Sequence, residues 1–158
     1  MNKIDWKLLI GSIAVSLGLG TVVGLLTSGS MQQYGELYQP PLAPPGWLFP
    51  IVWTILYTLM GISAYLVLVS EESSSQKKSE ALKKYALQLL VNLVWPFLFF
   101  QLRLYLLAFA WLLLLWYLIL ITILDFAKIE KTAAYLLIPY LVWVIFAGYL
   151  NLAIAIMS

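Results

Sequence analysis

The sequence predicts an all-α membrane protein, a single domain over residues 1–158 built as a five-transmembrane-helix bundle. Three observations predict it. Apolar residues make up 63% of the chain and charged residues only 10%, where a soluble domain carries about 45–50% and about 25%. A fold of this size has too little interior to hide so much apolar surface from water. Five stretches, 8–27, 47–70, 85–102, 104–124 and 133–157, contain no charged side chain, and each is long enough for a helix to cross a hydrocarbon core of about 30 Å. The runs are continuous, whereas the strands of a transmembrane barrel alternate in segments of about ten residues.

The first span follows Met1–Lys7. That opening is like a secretory signal, but the apolar run is longer than a signal core and ends without a small-residue cleavage site, so it reads as an uncleaved helix. Ser16, Gly20 and Gly24 recur every four residues along it. Such spacing lets backbones approach closely in lipid, either as a dimer seam or as a contact within the bundle. The loop 28–46 contains Pro40, Pro41, Pro44 and Pro45, which fix φ and remove four backbone donors, so a stiff extended segment is expected. Carrying Tyr34, Leu37, Tyr38 and Leu42, it is either a lid over the helix ends or a plain connector.

The second span opens with Pro50, and the third and fifth contain Pro96 and Pro139; each proline frees a carbonyl and can kink its helix. Residues 71–84 (EESSSQKKSEALKK) are polar and read as a solvated connector. Lysines fall on one side of the bundle: Lys3 and Lys7 in the tail, Lys77, Lys78, Lys83 and Lys84 in 71–84, and Lys128 and Lys131 between the fourth and fifth spans. The opposite side has Arg103 alone. Cationic loops stay inside, which predicts a multi-pass protein with its amino terminus in the cytoplasm, 28–46 outside, 71–84 inside and its carboxyl terminus outside.

Several functions are excluded. The chain has neither His nor Cys, so disulfides, imidazole or thiolate metal sites, and Cys or Ser–His nucleophiles are absent; no metal site is expected. No acidic or basic side chain lies inside a span, which argues against a proton or ion relay. A net charge of +2 confined to loops gives no footprint for nucleic acid.

What remains is aromatic. Trp53 and Tyr57 share a face of the second span with Gly61 and Ala64; Gln88, Asn92, Trp95 and Phe99 follow one stripe of the third; Tyr140, Trp143, Ala147 and Asn151 follow one of the fifth. Three such faces turned inward make an apolar pocket with a few polar contacts, the usual chemistry of a small-molecule site. Helix packing is the competing explanation for any single ring. Trp6, Trp47, Tyr85 and Tyr105 stand at span ends, where aromatic belts form.

Three stretches in order, LYQPPLAPPGW running into PIVWTILY, QLLVNLVWPFLFF, and PYLVWVIFAGYLN, resemble the TspO/MBR family (tryptophan-rich sensory protein, translocator protein or peripheral-type benzodiazepine receptor). The resemblance covers nearly the whole chain. It implies a five-helix bundle, often homodimeric, whose pocket opens toward the first loop and binds porphyrins of the protoporphyrin IX type or another apolar amphipathic molecule, with no cofactor required. It implies a receptor or carrier with a sensory, transport or stress-homeostasis role. It also implies ligand-binding residues Trp53, Tyr57, Asn92, Trp95, Phe99, Trp143 and Ala147 beneath a lid of Tyr34, Tyr38, Leu42, Pro44 and Pro45. Some bacterial members degrade porphyrin in light through tryptophans matching Trp53 and Trp143, which would make those two catalytic here. A membrane protein without a small ligand is the third alternative. The chain departs from the family pattern at Gln33, Gln39, Leu42, Phe97 and Gln101, and the absence of Lys or Arg after Tyr149 leaves the sterol-recognition pattern of animal members unmet.

Overall fold

A computed structural model describes residues 3–71 and 73–157. Its helices are α1 (Trp6–Met31), α2 (Leu48–Leu68), α3 (Ser75–Pro96), α4 (Tyr105–Ile129), α5 (Lys131–Leu136) and α6 (Ile138–Met157), with a 3-10 turn at Gln32–Glu36 and a π turn at Phe97–Gln101. There is no strand among the described residues. Four stretches are helical, long and apolar enough to cross a membrane: Trp6–Ser30, Leu48–Leu68, Tyr105–Ile129 and Lys131–Met157. The protein is therefore an all-helical, multi-pass integral membrane protein whose surroundings are the lipid bilayer.

The third expected span differs from the others. Helix α3 begins at Ser75, so most of the segment read as a loose 71–84 connector is helix. Ser74, in extended conformation, caps it by accepting the Lys77 backbone N–H at 3.2 Å, and the following Gln, Lys, Glu, Ala and Leu residues favour helix. Lys77, Lys78, Glu80, Lys83 and Lys84 thus share a helix with the apolar run that starts at Tyr85, and this keeps α3 out of the set of four.

Proline sets two of the irregularities. Pro96 ends α3, and the chain widens into the π turn, where the Leu102 N–H reaches back to the Phe97 carbonyl at 2.8 Å. Pro139 brings no backbone donor to the last span, which is broken at Leu137 into α5 and α6.

Helix α1 packs chiefly on α2, α3 on α4, and α4 on α6. The α1–α2 seam is built from small residues. Ser12 Oγ donates to the Gly61 carbonyl and Ser16 Oγ to the Tyr57 carbonyl, both at 2.7 Å. A methyl at Gly61 would collide with the backbone of Ile13, and one at Gly20 with the ring of Tyr57. Ser16 and Gly20 therefore make a contact inside the bundle. The opposite side of α1, with Val15, Val22 and Leu25, is exposed. Across the bundle at the lysine-rich end, Lys84 of α3 donates to the Asp125 carboxylate of α4, and that bond holds its ammonium above the usual lysine range.

Candidate functional site

The chain between α1 and α2 is anchored to the bundle. Tyr34 is buried, and its hydroxyl donates to the Pro44 carbonyl at 3.0 Å. Burial pushes its phenol up to about 12, so it stays a neutral donor. Gln39 Nε2 donates to the carbonyls of Tyr34 (2.9 Å) and Leu37 (3.0 Å). From α6, Tyr149 donates its hydroxyl to the Pro41 carbonyl at 2.7 Å. Of the expected lid residues, Tyr34 and Pro44 are buried, whereas Tyr38 and Pro45 are exposed. Leu42 covers nothing: it is 83% exposed at φ 70°, as the third residue of a Pro40–Ala43 turn closed by the Ala43 N–H on the Pro40 carbonyl. A left-handed φ at that turn position favours glycine.

Below this loop the aromatic stripes meet. The Trp53 ring stacks on Tyr57 (centroids 5.6 Å, 29°) and stands edge-on to Tyr140 and Trp143, both at 6.4 Å. Trp95 stacks on Phe99 at 5.0 Å. A buried hydrogen-bond chain ties α2, α3 and α6 together. The Tyr57 hydroxyl donates to Asn92 Oδ1, Asn92 Nδ2 to the Tyr140 oxygen (2.7 Å), and the Tyr140 hydroxyl to Gln88 Oε1 (2.7 Å). A second chain runs from Trp95 Nε1 to Asn151 Oδ1 (3.1 Å) and from Asn151 Nδ2 to the Tyr105 carbonyl (2.7 Å). Paired in this way, the polar atoms escape the desolvation cost of a dry interior. Among the described residues the exceptions are Gln88 Nε2, the Tyr85 hydroxyl, and the indole N–H groups of Trp116 and Trp143, which are buried without a partner there.

A cavity of about 290 Å³ lies between α1, α2 and the end of α3. Trp53, Thr54, Tyr57 and Pro50 form one wall; Trp95, Pro96 and Phe100 another; Leu17, Gly20, Thr21, Gly24 and Ser28 of α1 the third. It shares Ser28 and Pro50 with a wider vestibule of about 540 Å³ under the loop, bounded by Tyr34, Gly35, Gln39, Pro45 and Gly46.

Three of the seven expected ligand residues, Trp53, Tyr57 and Trp95, line this cavity. Asn92 and Phe99 are buried against Tyr57 and Trp95, Ala147 is buried on α6, and the half-buried Trp143 packs T-shaped with Trp53. The α6 stripe does not reach the cavity because its polar groups are drawn onto α3: Tyr140 to Asn92 and Gln88, and Asn151 to Trp95. The α1 wall was not among the expected site residues. Its signal was already in the small-residue spacing, for Gly24 has open space where a side chain would stand.

Known proteins are similar to this chain over three quarters or more of its length. A tryptophan-rich protein TspO from Chlorobaculum tepidum is 39% identical over 151 residues, covering 90% of this chain and 93% of that protein. A tryptophan-rich sensory protein from Cereibacter sphaeroides is 33% identical over 149 residues, covering 94% and 90%. A translocator protein from Ovis aries is 38% identical over 118 residues, covering 75% and 70%. The profile of the TspO/MBR family matches residues 12–157, taking in the α1–α2 seam, the loop and all three cavity walls; the chain belongs to the TspO/MBR family.

Proposed function

We propose that the protein is a membrane receptor or carrier that binds a porphyrin or similar tetrapyrrole against Trp53, Tyr57 and Trp95. The observation that carries this reading is the cavity itself: indole and phenol rings on two walls, small and aliphatic residues of α1 on the third, and a mouth under an anchored loop. Flat π surfaces suit a macrocycle, which gains dispersion and stacking without an axial ligand. The cavity is at the small end of drug-sized sites, so a macrocycle would also occupy the vestibule. Titrating the purified protein with protoporphyrin IX in detergent is expected to give saturable tryptophan quenching and a shifted Soret band; a linear, unsaturable response refutes the reading.

A second reading, light-dependent porphyrin breakdown, is favoured by the 6.4 Å contact between Trp53 and Trp143: an electron taken from one ring by the photoexcited porphyrin, which is thereby reduced, would be replaced from the other ring. Illuminating the wild type beside Trp53→Phe and Trp143→Phe separates the two: slower porphyrin loss in the variants supports photochemistry, and equal loss in all three refutes it.

In this reading α3 is the fifth crossing helix, entering the bilayer near Tyr85. The lysine distribution supports an orientation with the amino terminus in the cytoplasm and the loop outside. A reporter fused at the carboxyl terminus is then active only outside the cytoplasm, and cytoplasmic activity reverses the topology. The exposed side of α1 and the bundle's other outer faces leave room for a homodimer.

A further inference from the structure

The path from the vestibule to Trp53 has no cation along it. Among the described residues lining the cavity and the vestibule, none is Lys or Arg. The nearest charge in sequence is an acid, the exposed Glu36 beside the vestibule residue Gly35. Arg103, the only base in the loop 28–46, the turn 101–104 or the chain beyond α5, lines neither space. The neutral donors on the walls are largely spent as well. Tyr57 donates to Asn92, Trp95 to Asn151, Thr54 to the Pro50 carbonyl and Ser28 to the Leu25 carbonyl.

An ionised carboxylate brought into such a space loses its hydration and finds neither an ion-pair partner nor a set of free N–H groups. A planar ring with masked or absent acids loses nothing comparable and gains the same stacking. We infer that the site discriminates by charge: it takes an uncharged planar ring compound, and an esterified tetrapyrrole in preference to the free dicarboxylate. This inference rests on the ligand reading above and names the class of ligand for that same site.

The test compares protoporphyrin IX with its dimethyl ester on the full chain in zwitterionic phosphatidylcholine nanodiscs. The saturable signal is taken as the part lost in Gly24→Phe, which fills the cavity from a position with open space around it and corrects for partition of the ester into lipid. The expected result is at least tenfold tighter binding of the ester, with little effect of salt on either compound. A second variant, Ser28→Arg, puts a cation where cavity and vestibule join. It is expected to tighten the dicarboxylate at least fivefold in a salt-sensitive way, while Ser28→Met, of similar bulk, does not. Equal affinity for the two compounds, or tighter binding of the dicarboxylate by the wild type, overturns the charge inference and leaves the ligand reading standing. Saturable binding of neither overturns both.

Discussion

Replacing Gly61 with valine is expected to lower the unfolding free energy by about 3 kcal/mol, at the upper end for forced overpacking, and the apparent Tm in detergent by about 10 °C for a chain of this size. The reason lies in what a side chain would strike. Even a Cβ at Gly61 lands on the backbone of Ile13, and backbone cannot rotate away as a flexible side chain can. Helix α1 must then move off α2, which breaks the Ser12 bond to the Gly61 carbonyl and weakens the Ser16 bond to the Tyr57 carbonyl four residues earlier. In lipid nothing replaces that contact, because acyl chains are as apolar as the residues they would cover. Gly11→Val, at a position of α1 with open space around it, is the matched control and is expected to change Tm by less than about 2 °C. Thermal unfolding followed by tryptophan fluorescence measures both, and an unchanged Tm in Gly61→Val would show that the α1–α2 seam is not where the helix is held.

Trp53→Ala is expected to weaken protoporphyrin binding at least tenfold, and Trp143→Ala by less than threefold. Both tryptophans belong to the family pattern, so the resemblance treats them alike; the structure does not. Trp53 presents its ring to the cavity and is backed by Tyr57 in a stacked pair, whereas Trp143 packs in T-shaped contact with Trp53, with Phe49 and Phe146 as its other aromatic neighbours, and lines no part of that wall. Loss of a stacking platform removes on the order of 1–3 kcal/mol, as it does for bases on aromatic side chains; loss of a supporting ring is felt only through its neighbour's freedom to tilt. Dissociation constants from fluorescence titration decide the point. Equal losses in the two variants would mean that the ligand reaches α6, and that the cavity between α1, α2 and α3 is not its seat.

The class of the fold was legible in the sequence because it follows from composition and run length, which local chemistry cannot hide. The boundaries of α3 were not. Its first ten residues look like a solvated loop by polarity, and only the Ser74 cap and the helix-forming Lys, Glu, Ala and Leu side chains betray the helix. Trp53, Tyr57 and Trp95 could be found by spacing, since helical periodicity puts them on inward faces. The retreat of α6 from the cavity could not, because it depends on which buried amide finds which phenol. Tyr140 bonds Asn92 and the Gln88 side-chain oxygen, and Asn151 bonds Trp95, so the third aromatic stripe is drawn onto α3 and away from the cavity. The part played by α1 was half legible: small residues at fourfold spacing announced close packing, yet nothing in one dimension separates Gly20, pressed on Tyr57, from Gly24, which leaves a void.

The anchoring of the proline-rich loop has a consequence for how its sequence can drift. Its two tyrosine tethers, Tyr34 and Tyr149, both end on main-chain carbonyls, those of Pro44 and Pro41. Every residue type offers that acceptor. The prolines therefore supply the shape of the strap, while the hold on it is exerted by two hydroxyls, one near the start of the same loop and one on α6. Exchanging Pro41 or Pro44 for another residue able to keep the same φ leaves both fastenings intact. Removing a single oxygen atom from Tyr149 unfastens the strap from the far helix without altering one residue of the loop.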